Sequence, residues 1–307
     1  MKLDRPTGLE TLRGQTPMGV WVESTTSPHT GLLDLFYDGY NESFVLANEK
    51  EELQGFAECL AFNDGIPYEQ MAARFGPYKE VILVAREAQD GDPFGGANLI
   101  AYLLDRGQKL ALNLNYLYVR PAHRRKGHFR RLVDTVGHVA RAMFELPNDV
   151  ETWIFIEQND PIRMSTEDYA RDTEYSGLDQ VERLTMWASL GARIVDFPYV
   201  QPPLSPAQEP DENLIYSVLG VAQTTLSARL FLAHLERFFS ISVLKGRAIE
   251  SCSTALRQLE QLRSSCATDT SISLLDPRPA IAFLRAKGDR HLPNGVGDMR
   301  ALTKEIR

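Results

Sequence analysis

The chain has 307 residues, 43% of them hydrophobic and 24% charged, with 41 acidic against 33 basic side chains and a formal net charge of -8. That is the composition of a globular protein long enough to bury a core without covalent staples, and its acidic excess repels the phosphates of a nucleic-acid partner. Cys59, Cys252 and Cys266 show no zinc-ligand spacing and no even count for a disulfide framework, which suits a reducing, cytoplasmic setting without a metal site. No run approaches the ~20 apolar residues of a membrane span, and residues 1–16 lack the apolar core of a signal peptide, so no membrane association is expected.

In chain order, residues 19–23 (GVWVE) read as a short strand. Apolar residues fall at helical spacing around 32–44 and 51–62, and Pro67 sits in the first turn of a third helix. Three apolar runs of strand length follow, 81–85 (VILVA), 97–104 (ANLIAYLL) and 112–119 (LNLNYLYV), separated by polar segments as in an antiparallel meander. On the third run Leu112, Leu114, Tyr116 and Tyr118 share one face. Phe129, Leu132, Val133, Val136, Val139, Ala140, Met143 and Phe144 then form the wide apolar stripe of a helix closed by Pro147. A strand at 153–156 (WIFI) completes a strand–helix–strand unit, for which a right-handed parallel arrangement is expected.

The stretch 158–177 is polar and long for a connection. Its acidic residues Asp160, Glu167, Asp168, Asp172 and Glu174 would either attract a cation or simply face water. A helix from about 178 ends at Gly191, and 192–197 and 214–219 read as strands joined by a proline-rich connector. From about 221 the pattern is helical. Phe231, Leu235 and Phe238 line one helix, and Ile249, Cys252, Leu256, Leu259, Leu262 and Cys266 form a near-heptad seam on another. That seam fits either a second copy of the chain, as a homodimer, or the protein's own sheet. The last 40 or so residues lose periodicity and are expected to be partly disordered.

Chemistry concentrates at 119–132, where Arg120, Arg124, Arg125, Lys126, Arg130 and Arg131 gather at a strand-to-helix junction of an acidic protein. A helix start offers unpaired N–H groups and the positive end of the macrodipole, and Gly127 lets an anion approach the main chain. Neither the Gly-x-x-x-x-Gly-Lys-Ser/Thr nor the Gly-x-Gly-x-x-Gly pattern occurs, so the anion is not signalled as a nucleotide of those classes; a solvated basic helix start is the alternative.

The pattern Leu117-Tyr118-Val119-x-Pro121-x-x-Arg124-x-x-Gly127, with Leu190-Gly191 at the end of a later helix, resembles the GNAT (GCN5-related N-acetyltransferase) superfamily over roughly residues 18–220. The resemblance implies an α/β (α+β) fold with a central mixed, mostly antiparallel sheet and flanking helices. On this reading residues 1–220 form the acyltransferase domain and 221–307 a C-terminal helical extension. It implies acetyl-CoA as co-substrate, with the amides of Arg125, Lys126, Gly127, His128, Phe129 and Arg130 on the pyrophosphate and Leu117, Tyr118 and Val119 beside the pantetheine arm. Arg124 belongs to the same signature, and Asn159 matches a position that often touches CoA. Phe129 departs from it, since glycine or alanine usually stands there.

The implied reaction is direct attack of a primary amine on the thioester. An alkylammonium has a pKa of about 10.4 and must first lose a proton. Glu157, at the end of the 153–156 strand, is the expected base, and the N–H of Tyr118 or Val119 the expected oxyanion donor. The family's helix tyrosine is replaced by Trp187, whose indole is no acid; Tyr199 is the substitute chosen, with Tyr116 and Tyr118 as others. A small-molecule amine is the leading acceptor. Alternatives are a protein lysine or N-terminus, or acyl-CoA binding without catalysis.

Overall fold

The computed structural model describes residues 11–44, 50–205, 208–268, 270–287 and 292–306. They divide into two compact units: Met1–Ile154 with Ser240–Arg247, and Phe155–Phe239 with Ala248–Arg307. The expected partition after residue 220 falls inside the second unit rather than at its edge.

The first unit is built on strands β1 (Thr11–Gln15), β2 (Trp21–Thr25), β3 (Tyr78–Arg86), β4 (Pro93–Leu104) and β5 (Lys109–Val119), each hydrogen-bonded antiparallel to the next. The three apolar runs of the meander became β3 to β5, because continuous apolar character fits strands covered on both faces. Helices α1 (Gly31–Asn41), α2 (Leu53–Ala61) and α3 (Gly65–Phe75) intervene between β2 and β3. Phe36, Tyr40, Phe56 and Leu60 from α1 and α2 pack with Ile82, Val84 and Tyr118. Helix α4 (His128–Met143) buries Leu132, Val133, Val136, Val139 and Ala140.

Strand β5 carries a bulge. Tyr116 pairs with Asn98 and Leu114 with Leu99, leaving Asn115 as the extra residue. Its side chain is held on both sides: Asn115 Nδ2 donates to Asn98 Oδ1 at 3.0 Å and its Oδ1 accepts from Asn113 Nδ2 at 2.9 Å. The bulge separates Leu114 from Tyr116 in register, so the single continuous face read from residues 112–118 is interrupted there.

In the second unit the sheet order is β6 (Thr152–Asn159, in this unit from Phe155), β8 (Leu214–Leu219), β7 (Arg193–Val195), β10 (Ser271–Leu275) and β9 (Thr225–Ser227). Helix α7 (Ala228–Phe238) lays His234 on Phe155 of β6, with ring centroids 3.7 Å apart. Against the opposite-pointing residues Ile194 and Ile215 pack α6 (Gln180–Ser189), α9 (Arg278–Lys287) and α10 (Met299–Glu305) through Leu184, Ile281, Leu284, Met299 and Leu302. Helix α8 (Ser253–Ala267) buries Leu259 and Leu262, and of the near-heptad seam Leu256 and Cys266 stay half-buried.

Three expectations are corrected. The polar stretch 158–177 contains helix α5 (Thr166–Ser176), started by Ser165, whose hydroxyl accepts from the Asp168 N–H. The region after 221 is not purely helical, because β9 and β10 add two strands. The final 40 residues include β10, α9 and α10, with Met299 and Leu302 fully buried. These elements are too short to show a period, and tertiary burial stabilises them. Among the described residues no helix is long and apolar enough to cross a membrane.

Candidate active site

The basic turn lies wholly in the first unit. After β5 the chain makes a single 3-10 turn at Pro121–His123, and Arg124 returns to extended geometry. Arg125 (φ 63°) and Gly127 (φ 79°) then take left-handed conformations, and α4 begins at His128 without a side-chain cap. A non-glycine residue at positive φ is costly, by about 1–2 kcal/mol. At Gly127 a Cβ would meet nothing within 4 Å, so space is open above the main chain. The opening N–H groups of a helix have no intrahelical acceptor. Left-handed turns entering an uncapped helix form a concavity of amides suited to an anion.

The six basic side chains divide. Arg131 makes two bonds to Glu87, at 2.7 and 3.0 Å, and Arg120 faces Glu42 at 3.6 Å. Arg124 Nε donates to the Val119 carbonyl at 3.2 Å and Lys126 Nζ to that of Ala122 at 3.0 Å. Arg125 and Arg130 extend into solvent. The His128 ring is buried, stacked on Phe94 at 4.3 Å and 3.3 Å from Glu87, and burial holds its pKa below the usual value. Its contribution at the turn is therefore its main chain, not a surface imidazole. Phe129 is half-buried.

Along β5, Leu117 and Val119 are half-buried and Tyr118 is buried. Tyr118 turns onto α1, where its hydroxyl donates to the Phe36 carbonyl at 2.9 Å. A Cβ on Gly39 or Gly96 would sit 2.6 or 2.8 Å from the Tyr118 side chain, so those glycines make room for it. Tyr116 stands in the same aromatic cluster, 4.9 Å from Tyr40. Both tyrosines are thus packing groups. Arg120 N–H donates to Phe94 O at 2.8 Å, and Tyr118 pairs with Gly96 two residues back. Antiparallel alternation then turns the Tyr118 N–H towards β4 and those of Leu117 and Val119 away. Of the two expected oxyanion donors, only the Val119 N–H points away from β4.

In the second unit the structure brings Glu157 and Tyr199 together although 42 residues separate them: the Tyr199 hydroxyl donates to Glu157 Oε1. Glu157 is half-buried on β6. Burial pushes its pKa up to about 7; the Tyr199 hydrogen bond pulls the other way, and nearby Asp211 adds to the rise. Tyr199 is buried, and burial followed by the Glu157 charge drives its phenol well above the usual value. Tyr199 is therefore a poor proton source and a good hydrogen-bond anchor. Asn159 is buried at the end of the same strand.

The acidic residues after β6 are largely structural. Asp160 is fully buried, accepting from Ile162 N–H at 2.9 Å and from the N–H of Met299 at 2.8 Å, the first residue of α10, whose N-cap is Asp298. Asp172 binds Arg183 at 2.7 Å and takes a hydrogen bond from Gln180. Trp187 is buried.

Two features left no mark in the sequence reading. Glu80, inside β3, is fully buried. Gln258 of α8 is bonded to both backbone groups of Val200, beside Tyr199. Glu80 follows Lys79 and only borders the 81–85 run, so the residues carry no signal for its burial.

No protein-family model matches the chain, and no curated protein matches it. In structure it is similar to a GNAT-family acetyltransferase candidate from Bacteroides thetaiotaomicron, at 16% identity over 70% of this chain and 92% of that one, with a TM-score of 0.42. It is similar to the ribosomal-protein-S18-alanine N-acetyltransferase from Escherichia coli, at 16% identity over 66% and 95%, TM-score 0.36. A third is diaminobutyrate acetyltransferase EctA from Paenibacillus lautus, solved with L-2,4-diaminobutyric acid and coenzyme A, at 16% identity over 69% and 96%, TM-score 0.31.

Proposed function

We propose that the protein is an acyl-CoA-dependent N-acetyltransferase that acetylates the primary amine of a small molecule. The observation that carries this reading is the turn from Arg125 to His128: two left-handed residues leading into an uncapped helix, with Arg125 and Arg130 exposed beside it. This cradle suits the pyrophosphate of a CoA thioester, with Gly127 giving the phosphate access to the amides.

The second unit supplies a base. A carboxylate with a pKa of about 7 is ionised at slightly alkaline pH and can take one proton from the bound ammonium, which frees the nitrogen lone pair for attack. The Tyr199 hydroxyl occupies Oε1 and leaves Oε2 for that proton. The neutral nitrogen forms its bond to the acyl carbon, the carbon–sulfur bond breaks, and the second nitrogen proton passes to the departing sulfur, which leaves as the thiol. A free thiol has a pKa of about 8.5, so this leaving group needs no strong acid. The Val119 N–H, turned away from β4, is the proposed donor to the negative oxygen that develops on the acyl group.

The test is calorimetric titration with acetyl-CoA, longer acyl-CoAs and free CoA, followed by an amine screen with thiol release as readout. Micromolar binding together with turnover of an amine supports the proposal. Binding without turnover of any amine leaves a binding module, and absence of binding removes the reading of the turn.

A further inference from the structure

The loop that carries the Tyr199 hydroxyl to Glu157 has a regular pairing of its own, the two-way backbone bridge between Gln201 and Asp211 at 2.9 and 3.0 Å. Tyr199 lies just beyond β7, in a stretch where Phe197 N–H donates to Val195 O at 2.7 Å and Tyr199 N–H to Phe197 O at 2.8 Å around Pro198. The next residue, Val200, is gripped from outside. Its N–H donates to Gln258 Oε1 at 3.1 Å, and its carbonyl accepts from Gln258 Nε2 at 2.8 Å.

Gln258 is itself buried, on α8, and Nε2 also donates to Thr254 O at 3.1 Å one turn earlier. A primary amide is the side-chain group that presents a donor and an acceptor side by side, so it pairs with Val200 as a neighbouring strand would. The far side of Tyr199 is packed. Its ring lies 4.5 Å from that of Tyr216, whose hydroxyl is 2.6 Å from Nε2 of the fully buried His234. Phe239 closes the remaining side at 6.3 Å.

We propose that Gln258 is a positioning residue for the reaction: its two hydrogen bonds to Val200 fix the Tyr199 hydroxyl on Glu157, so that α8, which lies outside the GNAT resemblance, is part of the catalytic apparatus. This rests on Glu157 being the base. It differs from a plain stabilising role because the two bonds fall on the residue adjacent to Tyr199. The groups facing Glu157 are Tyr199 and Asp211; Arg237 is the charge nearest His234.

The Tyr199 bond lowers the pKa of Glu157. Gln258→Met keeps the side-chain length and removes both bonds, so Tyr199 loosens and the carboxyl titrates at higher pH. A hydrogen bond to a charged group corresponds to a shift of about one pH unit. The experiment is carbon-13 NMR titration of the Glu157 carboxyl in the full chain, assigned with Glu157→Gln, for wild type, Gln258→Met, Tyr199→Phe and the double variant. An upward shift of similar size in all three, with no further movement in the double variant, is expected because both changes remove the same contact. An unshifted Gln258→Met, or full additivity with Tyr199→Phe, overturns the proposal.

If Gln258→Met fails to fold, an uncharged second variant, Gln258→Asn, is measured instead. Its amide is one methylene shorter, so it cannot hold both Val200 groups, and the same shift in the same direction is required. Turnover of the wild type against amines is measured in parallel. Its absence sinks the acyltransferase reading, whereas the carboxyl titration decides the role of Gln258 without it.

Discussion

Replacing Glu80 by glutamine should stabilise the protein, and increasingly so as pH rises. Glu80 sits in the interior of the first unit, its Oε1 accepting from the Ser242 hydroxyl and its Oε2 without a hydrogen-bond partner. Asn63 Nδ2 donates to the Glu80 carbonyl at 2.8 Å, and Lys245, the nearest cation, is committed to Glu51 at 2.7 Å. Burial pushes the Glu80 pKa from 4.5 up to about 8, against the smaller pull of Ser242, Asn98 and Lys245. Between those values the folded chain holds a proton that the unfolded chain releases, so wild-type stability falls as pH rises through the window and levels off above about 8. At 1.36 kcal/mol per pH unit the full span is on the order of 5 kcal/mol, an upper figure because the surroundings relax around an ionised group.

Glutamine is isosteric and does not ionise. The stability difference between Glu80→Gln and wild type should be near zero around pH 5 and grow to several kcal/mol by pH 9. Glu157, Asp160 and Asp211 also have raised values. Their slopes have the same sign but are common to both proteins and cancel in the difference. Urea-dependent amide exchange of β3 and β4, taken at several pH values, reports the first unit by itself. A stability difference that does not change with pH refutes the reasoning.

The other predictions concern the two halves of the proposed chemistry. Glu157→Gln should lower turnover at least a hundredfold while leaving acyl-CoA affinity unchanged by calorimetry; wild-type rates in that variant would remove Glu157 as base. In wild type, kcat/KM should rise as pH passes about 7, because the base acts only when ionised; a flat profile between pH 6 and 8 counts against it. Gly127→Ala meets no clash, so its stability loss should be limited to the left-handed backbone, about 1–2 kcal/mol. Its CoA affinity should fall tenfold or more, since the methyl group stands where phosphate approaches, and unchanged affinity would mean the turn has another use. Arg125→Ala with Arg130→Ala should weaken CoA binding and flatten its salt dependence, measured by titration at two ionic strengths.

The elements with local signals were legible from the residues themselves. The runs of β3, β4 and β5 and the stripe of α4 carry their period within a dozen positions, and the basic turn announces itself by charge and by Gly127. What the sequence could not express is which distant residues meet. Nothing near Glu157 or Tyr199 signals that 42 positions later a hydroxyl closes on the carboxylate, or that Gln258, 58 positions beyond Val200, holds that loop. Short elements such as β9, β10 and α10 were equally silent, because too few residues repeat and their order comes from burial, as with Met299 against Asp160.

The raised pKa values of Glu80 and Glu157 belong to the same class. A side chain's proton affinity is set by the water removed from around it, and that removal is a property of the folded interior. Sequence by itself determined the local backbone preferences and the chemistry available. Tertiary structure decided which of those groups were desolvated, and therefore which carboxyls hold their protons towards neutral pH.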